Sequence, residues 1–226
     1  MTKNLSKRLS ACLNALFPLK RIADVGTDHA YLPCYGIRTG SIETAIAIDV
    51  IDGPLAQARK TVEHYDLSHK VELRKGSGLE PLNLYEVEGA VIAGMGGPLI
   101  ATLISDSLTI AKSLKTLVLQ PQSGEYTLRK SLMTLGFKVK DEMLIEEDNI
   151  IYTIITAVPG KQVLTEDELV FGPILLTQSS DELFIKKWRQ QAEKLAKTLQ
   201  NRELPEEVSN RFQKQLSRIE EVIGHG

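Results

Sequence analysis

The chain has 226 residues, 42% of them hydrophobic, and a formal net charge of -2. That describes a soluble globular protein of one large domain, or a domain with a small appendage. No apolar run approaches the length of a membrane span, and the polar, basic N-terminus lacks the apolar core of a signal peptide, so the composition excludes a membrane protein and points to the cytoplasm.

Leu5, Leu9, Leu13 and Leu16 recur at helical spacing and predict an amphipathic helix over about 4–17, ending before Pro18. Strands and helices then alternate. Strands are expected at about 21–25, 44–49, 71–75, 90–93 and 116–120. Helices are expected at about 29–39, from Asp52 to Tyr65, from Pro98, and over about 124–135 with Gly136 as its C-cap. Asp52 reads as an N-cap with Pro54 in the first turn. The alternation breaks at 137–147 and 150–158, two strand-like runs joined by Glu147-Asp148-Asn149, which predict an antiparallel hairpin. The fold class is therefore α/β: a Rossmann-like, doubly wound, mostly parallel sheet with a terminal antiparallel hairpin. SAM-dependent methyltransferases share that layout.

Composition changes after Pro159-Gly160, so domains are expected at 1–160 and 161–226. Two apolar stripes fill the second: Phe184, Trp188, Ala192, Leu195, Leu199 and then Val208, Phe212, Leu216, Ile219, Val222. With Leu204-Pro205 between them they predict a C-terminal antiparallel helical hairpin with a coiled-coil-like seam. Such a hairpin leaves monomer and weak dimer both open. Cys12 and Cys34 lack metal-ligand spacing, so no metal site is read; both suit a reducing compartment and serve better as buried filler than as nucleophiles. Residues 1–21 hold five basic side chains and no acid: Lys3, Lys7, Arg8, Lys20 and Arg21. That arm suits a polyanion, or simply a solvated helix face.

The chemistry concentrates at the ends of the expected strands. Ile22-Ala23-Asp24-Val25 leads into Gly26-Thr27-Asp28-His29, a glycine turn carrying two acids, and Asp49 closes the next strand. This is the layout of a site for a nucleoside-bearing cofactor, with the later acid on the ribose hydroxyls. A dinucleotide turn uses three glycines to approach a pyrophosphate; here Gly26 stands alone between Asp24 and Asp28. Two carboxylates repel a pyrophosphate and suit the ammonium and sulfonium of S-adenosylmethionine. An NAD-dependent oxidoreductase is the weaker enzyme reading, and a non-catalytic RNA-binding module leaves Asp49 and the glycine loops without a purpose. The blander reading gives Asp24 and Asp28 only capping roles. Ser77 and Gly78 follow the third strand, where methyltransferase sheets hold the cofactor's adenine; Ser77 stands where an acid is usual, which weakens that contact or leaves it to backbone. Gly94, Met95 and Gly96, with Gly97, follow the fourth strand and read as a close backbone approach to a ligand.

The runs Asp24 to Pro33, Asp49-Val50 to Gly53-Pro54-Leu55, and Gly94-Met95-Gly96-Gly97 resemble the bacterial tRNA (adenine(22)-N1)-methyltransferases over the whole chain. The resemblance implies methyl transfer from S-adenosylmethionine to N1 of an adenine in the D-arm region of tRNA, with the N-terminal helix and the helical hairpin gripping the RNA. It implies cofactor contacts from Asp24, Gly26, Thr27, Asp28, Asp49, Val50, Ser77, Gly78, Gly94, Met95 and Gly96. Asp28 is the candidate for stabilising charge on the base or taking a proton from its amine, and His29 and Tyr31 for positioning or stacking it. Lys3, Lys7, Arg8, Lys187 and Lys194 are the candidate RNA contacts. A small-molecule or different RNA acceptor is the alternative within the same enzyme class.

Overall fold

Seven strands form a single sheet in a computed structural model that describes residues 5–200 and 204–224. The strands are β1 (Arg21–Val25), β2 (Thr44–Asp49), β3 (Val71–Lys75), β4 (Gly89–Met95), β5 (Thr116–Pro121), β6 (Phe137–Glu147) and β7 (Ile150–Pro159). Their order is β3-β2-β1-β4-β5-β7-β6. The first five run parallel; β7 lies antiparallel to β5 and to β6, which makes the expected terminal hairpin. Ile22 to Val25 of β1, Ala90 to Ile92 of β4 and every residue of β5 are buried. A parallel strand covered on both faces reads as a continuous apolar run, and that is how these strands announced themselves.

The helices of this unit are α1 (Lys7–Ala15), α2 (Tyr31–Arg38), α3 (Asp52–His64), α4 (Gly97–Asp106), α5 (Leu108–Ser113), α6 (Glu125–Thr134) and α7 (Glu166–Phe171). α1 is shorter than the leucine spacing predicted, because Ser6 caps it by accepting from the Leu9 N–H at 3.3 Å. Residue 4, the predicted start, lies outside the described residues. Asp52 is not the cap of α3. Ile51 holds that position, its N–H donates to Asp49 Oδ1 at 3.0 Å, and Asp52 instead pairs with Lys75 Nζ at 2.7 Å. α5 was not expected; its single turn and a half is too short to show a period.

The chain forms two compact units, Met1–Pro173 and Ile174–Gly226, so the division falls later than the composition break at 160 suggested. The physical reason is a buried ion pair. Arg129 on α6 is 1% exposed, and its Nε donates to Glu142 Oε1 of β6 at 2.8 Å. Its Nη1 also donates to the carbonyls of Leu169 and Val170, both at 3.0 Å. These bonds tie the segment after β7 to the sheet. Gly172 takes φ +99, and a β-carbon there would run into the Glu142 carboxylate. Gly172→Ala should therefore lower stability by at least about 2 kcal/mol, from backbone strain and displacement of the pair. Chemical denaturation checks this; a loss under about 0.5 kcal/mol, the usual range for an innocuous surface change, would contradict it.

In the second unit, α8 (Glu182–Leu199) is capped by Asp181, whose Oδ1 accepts from Leu183 N and Phe184 N. α9 (Glu206–Gly224) follows. Phe184, Trp188 and Leu195 of the first predicted stripe and Ile219 of the second are buried. Residues 201–203, beside the predicted turn at Leu204-Pro205, lie outside the described residues.

Candidate functional site

The turn after β1 is folded over the end of β2. Both Gly26 N and Thr27 N donate to the Ile48 carbonyl, at 2.9 and 3.0 Å. Gly26 has φ +73, which favours glycine, and Met95 Cε lies close to where a β-carbon would be, so any side chain here would be strained and would displace the end of Met95. Asp24, inside β1, is 6% exposed and accepts from Thr27 Oγ1 at 2.6 Å. Burial pushes its pKa up to about 6; the Thr27 bond opposes the shift and the charge of Asp49 adds to it. Asp28 and Ala30 take φ +51 and +54. That left-handed path turns the Asp28 N–H toward Asp49 Oδ2, at 3.4 Å. The Asp28 carboxylate lies 3.5 Å from His29 Nε2, and the His29 ring stacks on Tyr31 with centroids 5.1 Å apart and planes 10° from parallel.

A cavity of about 250 Å³ opens here, between the ends of β1 and β4. The sheet order reverses between these two strands, which is where open α/β sheets bind ligands. Asp24, Gly26, Thr27, Asp28, His29, Tyr31 and Gly94 line it, so the structure brings together seven of the residues singled out for cofactor or catalysis. Asp49 is joined to them through the Asp28 N–H, and Met95 through its contact with Gly26. Val50 is exposed next to Asp49, and Gly96 is the backbone N-cap of α4. Ser77 is exposed; Gly78 is buried against Leu103 of α4, and neither lines the cavity. Their loop is still anchored to the site, since Gly76 N donates to the Asp49 carbonyl at 3.0 Å. Gly97, read as part of a ligand approach, instead donates to Ser123 O at 2.7 Å and joins two loops.

Two further residues complete the site. Arg8, expected to be a surface RNA contact, turns inward and lines the cavity. It hydrogen-bonds Gln120 Oε1, lies 4.0 Å from the Glu147 carboxylate, and rests over the Tyr152 ring at 5.4 Å. Those partners leave it poorly placed to reach a phosphate in solvent. Gln120, fully buried at the end of β5, was missed. Its Oε1 also accepts from Gly94 N at 3.1 Å, so one amide holds both α1 and the glycine loop. The available signals were a polar side chain closing the buried run Leu117-Val118-Leu119, and Arg8 standing one helical turn before buried Cys12. Lys7 is exposed, with its backbone N–H on Glu147 Oε1; Lys194 is exposed on α8 and Lys187 half-buried there; Lys3 lies outside the described residues. Burial pushes the thiols of Cys12 and Cys34 up to about 12 and about 11, which suits filler and not nucleophiles. Among the described residues no helix is long and apolar enough to cross a membrane.

Comparison with known proteins gives a consistent picture. Residues 22–224 match the family model described as tRNA (adenine(22)-N(1))-methyltransferase. The chain is 32% identical to the tRNA (adenine(22)-N(1))-methyltransferase of Bacillus subtilis strain 168, over 98% of each chain. A crystal structure of Streptococcus pneumoniae Sp1610 superposes with a TM-score of 0.92 at 34% identity, covering 97% of this chain and 100% of that one. Another structure of Sp1610, in complex with S-adenosyl-L-methionine, superposes with a TM-score of 0.89 over the same shares.

Proposed function

The chain belongs to the tRNA (adenine(22)-N(1))-methyltransferase family, and from that premise we propose how its residues carry out the reaction. The protein transfers a methyl group from S-adenosylmethionine to N1 of an adenine in tRNA. The observation that carries the residue assignment is the acid-floored cavity at the β1/β4 switch point. Its chemistry fits this cofactor: a buried carboxylate in Asp24 answers an ammonium, and Asp49 at the end of β2 answers ribose hydroxyls. The cavity is smaller than a typical whole-ligand site, so it takes the amino-acid end, while the nucleoside runs outward past Asp49 and Val50 toward Ser77 and Gly78. Gly26, Thr27, Gly94, Met95 and Gly96 supply the close backbone walls.

When bound, S-adenosylmethionine supplies an activated methyl and its own leaving group, so no covalent step by the protein is needed. The protein positions. Asp28 at the cavity mouth faces the charge that N1 methylation puts on the base, and stabilises it or accepts a proton from the exocyclic amine. His29 and Tyr31 present a stacked pair beside it. Because N1 is paired in a duplex, the adenine must be unpaired or flipped out to reach this mouth. Arg8 and Gln120 hold the Gly94 loop in place. Exposed Lys7 and Lys194, with Lys187, support an RNA-contact role for α1 and for the helical unit, and a tRNA substrate supports a cytoplasmic setting.

Methyl transfer from labelled cofactor to unmodified tRNA, with nucleoside analysis, tests the assignment. Label is expected in 1-methyladenosine and is lost when adenine 22 is replaced. Cofactor binding without transfer would redirect the acceptor; no cofactor binding would remove the cavity reading.

Asp24 adds a pH prediction. Its carboxyl loses its proton near pH 6, so affinity for the cationic cofactor should rise between about pH 5 and pH 7 and then level off. Asp24→Asn should flatten that profile in calorimetry. For the ligand-free protein the sign is opposite. A folded pKa above the unfolded value stabilises below about pH 4, and that stability is lost as pH rises through about 6. The amount is about 3 kcal/mol as an upper figure. Asp24→Asn should remove this slope from thermal unfolding; an unchanged slope would show that other groups govern it.

A further inference from the structure

A second depression of about 470 Å³ lies beside the cofactor cavity, between the turn after β1 and one face of α3. His29 and Tyr31 line both, so the two are neighbours that share a wall. On α3, Gln57, Lys60, Thr61 and His64 follow at helical spacing and share the face that borders the groove. Thr61 Oγ1 donates to the Gln57 carbonyl, which holds that hydroxyl along the helix. Tyr65 closes the far end. Arg38 lies over its ring at 4.3 Å, and the His64 ring meets it edge-on at 4.8 Å. None of the lining residues is acidic; Asp28 pairs with His29 from the cavity side.

We propose that this groove holds the RNA strand next to the methylated adenine, an assignment that rests on the tRNA reading above. The chemistry is that of single-stranded nucleic-acid binding, a flat ring surface flanked by cationic and hydrogen-bonding groups. The His29–Tyr31 stack offers a π face to the target base or its neighbour at the cavity mouth. Lys60 and His64, one helical turn apart, meet phosphates, and Gln57 meets sugar or base edges. Phosphate contacts fix register, so α3 would set which adenine reaches N1 chemistry. An acid-lined cavity would repel an RNA backbone, and a strand that enters along α3 keeps its phosphates away from Asp24 and Asp28.

The test uses the full chain with Lys60→Glu, His64→Glu and the double substitution. Binding of unmodified tRNA is measured by fluorescence anisotropy over a salt series, and cofactor binding by calorimetry. The double variant should raise the Kd for tRNA by about tenfold or more, and the slope of log Kd against log salt should flatten by about one for each phosphate the variant no longer holds. Cofactor affinity should stay within about twofold, since neither residue lines the cavity, as expected for independent sites. The KM for tRNA should rise with kcat nearly unchanged. Lys60→Gln should move the same quantities in the same direction by less, and serves where charge reversal disturbs the fold. Wild-type tRNA affinity and salt slope in variants that still bind cofactor would overturn the proposal. Wild-type protein that binds tRNA through this groove yet forms no 1-methyladenosine would instead overturn the functional reading and leave the groove standing.

Discussion

Asp28→Asn should lower kcat for methyl transfer by about 100-fold or more while the Kd for S-adenosylmethionine changes little. The substitution keeps size and hydrogen-bonding reach but removes the negative charge. It is also conformationally safe. Asp28 holds φ +51, and asparagine tolerates the left-handed region as aspartate does, so the backbone N–H should stay on Asp49. What changes is the mouth of the cavity, where a carboxylate 3.5 Å from His29 faces the incoming base. The Asp28 side chain is 68% exposed in the free protein, so the charge that develops on the methylated adenine loses a counter-charge whose worth grows as the bound base displaces water from the mouth. Single-turnover kinetics beside calorimetry separate the two roles. If cofactor affinity falls in step with turnover, Asp28 is a cofactor ligand and not a group acting on the base.

Arg129→Met should lower the stability of the first unit by about 3–5 kcal/mol, a large share of the roughly 5–15 kcal/mol of an ordinary domain. The guanidinium is the hub of a dry cluster. It joins α6 to Glu142 on β6, which is 3% exposed, and to two carbonyls of α7. Removing it leaves a carboxylate in a site that hydrates it poorly and strips the buried Leu169 carbonyl and the half-buried Val170 carbonyl of this donor. The double variant Arg129→Met/Glu142→Leu should recover part of the loss, because an apolar pair no longer strands a charge. Denaturant unfolding of the single and double variants measures both terms. A single-variant loss under about 1 kcal/mol, or a double variant less stable than the single one, would contradict the role given to the pair.

These two residues stand on opposite sides of what could be read from the chain alone. Asp28 belongs to a local pattern. Strand, glycine turn, acids and a later strand-ending acid are all set by neighbours in sequence, so period and turn chemistry expose them. The same holds for β1, β2, β4 and β5, whose central residues are buried and mostly apolar, and for the β6–β7 hairpin; edge strand β3 shows only Val71 buried among charged residues. The two helices of the C-terminal unit were legible from their apolar stripes for the same reason.

Contacts made across the chain were not legible. Arg8 and Gln120 are 112 positions apart, and nothing in either segment marks the other as its partner. By charge alone Arg8 belonged with the lysines proposed to contact RNA; only the packing of α1 over the end of the sheet turned it toward Glu147, Tyr152 and the glycine loop. Composition placed a boundary after Gly160, yet Arg129 reaches α7 and moves the division past Pro173. Ser77 and Gly78 follow the correct strand, but neither lines the cavity, and Gly78 packs beside Leu103 of α4. Hydrophobic period and turn residues are local quantities, and the sequence by itself determined the strands, the fold class and the acid-and-glycine turn through them. Which buried polar group meets which depends on how separate segments pack, and that only the tertiary structure decided.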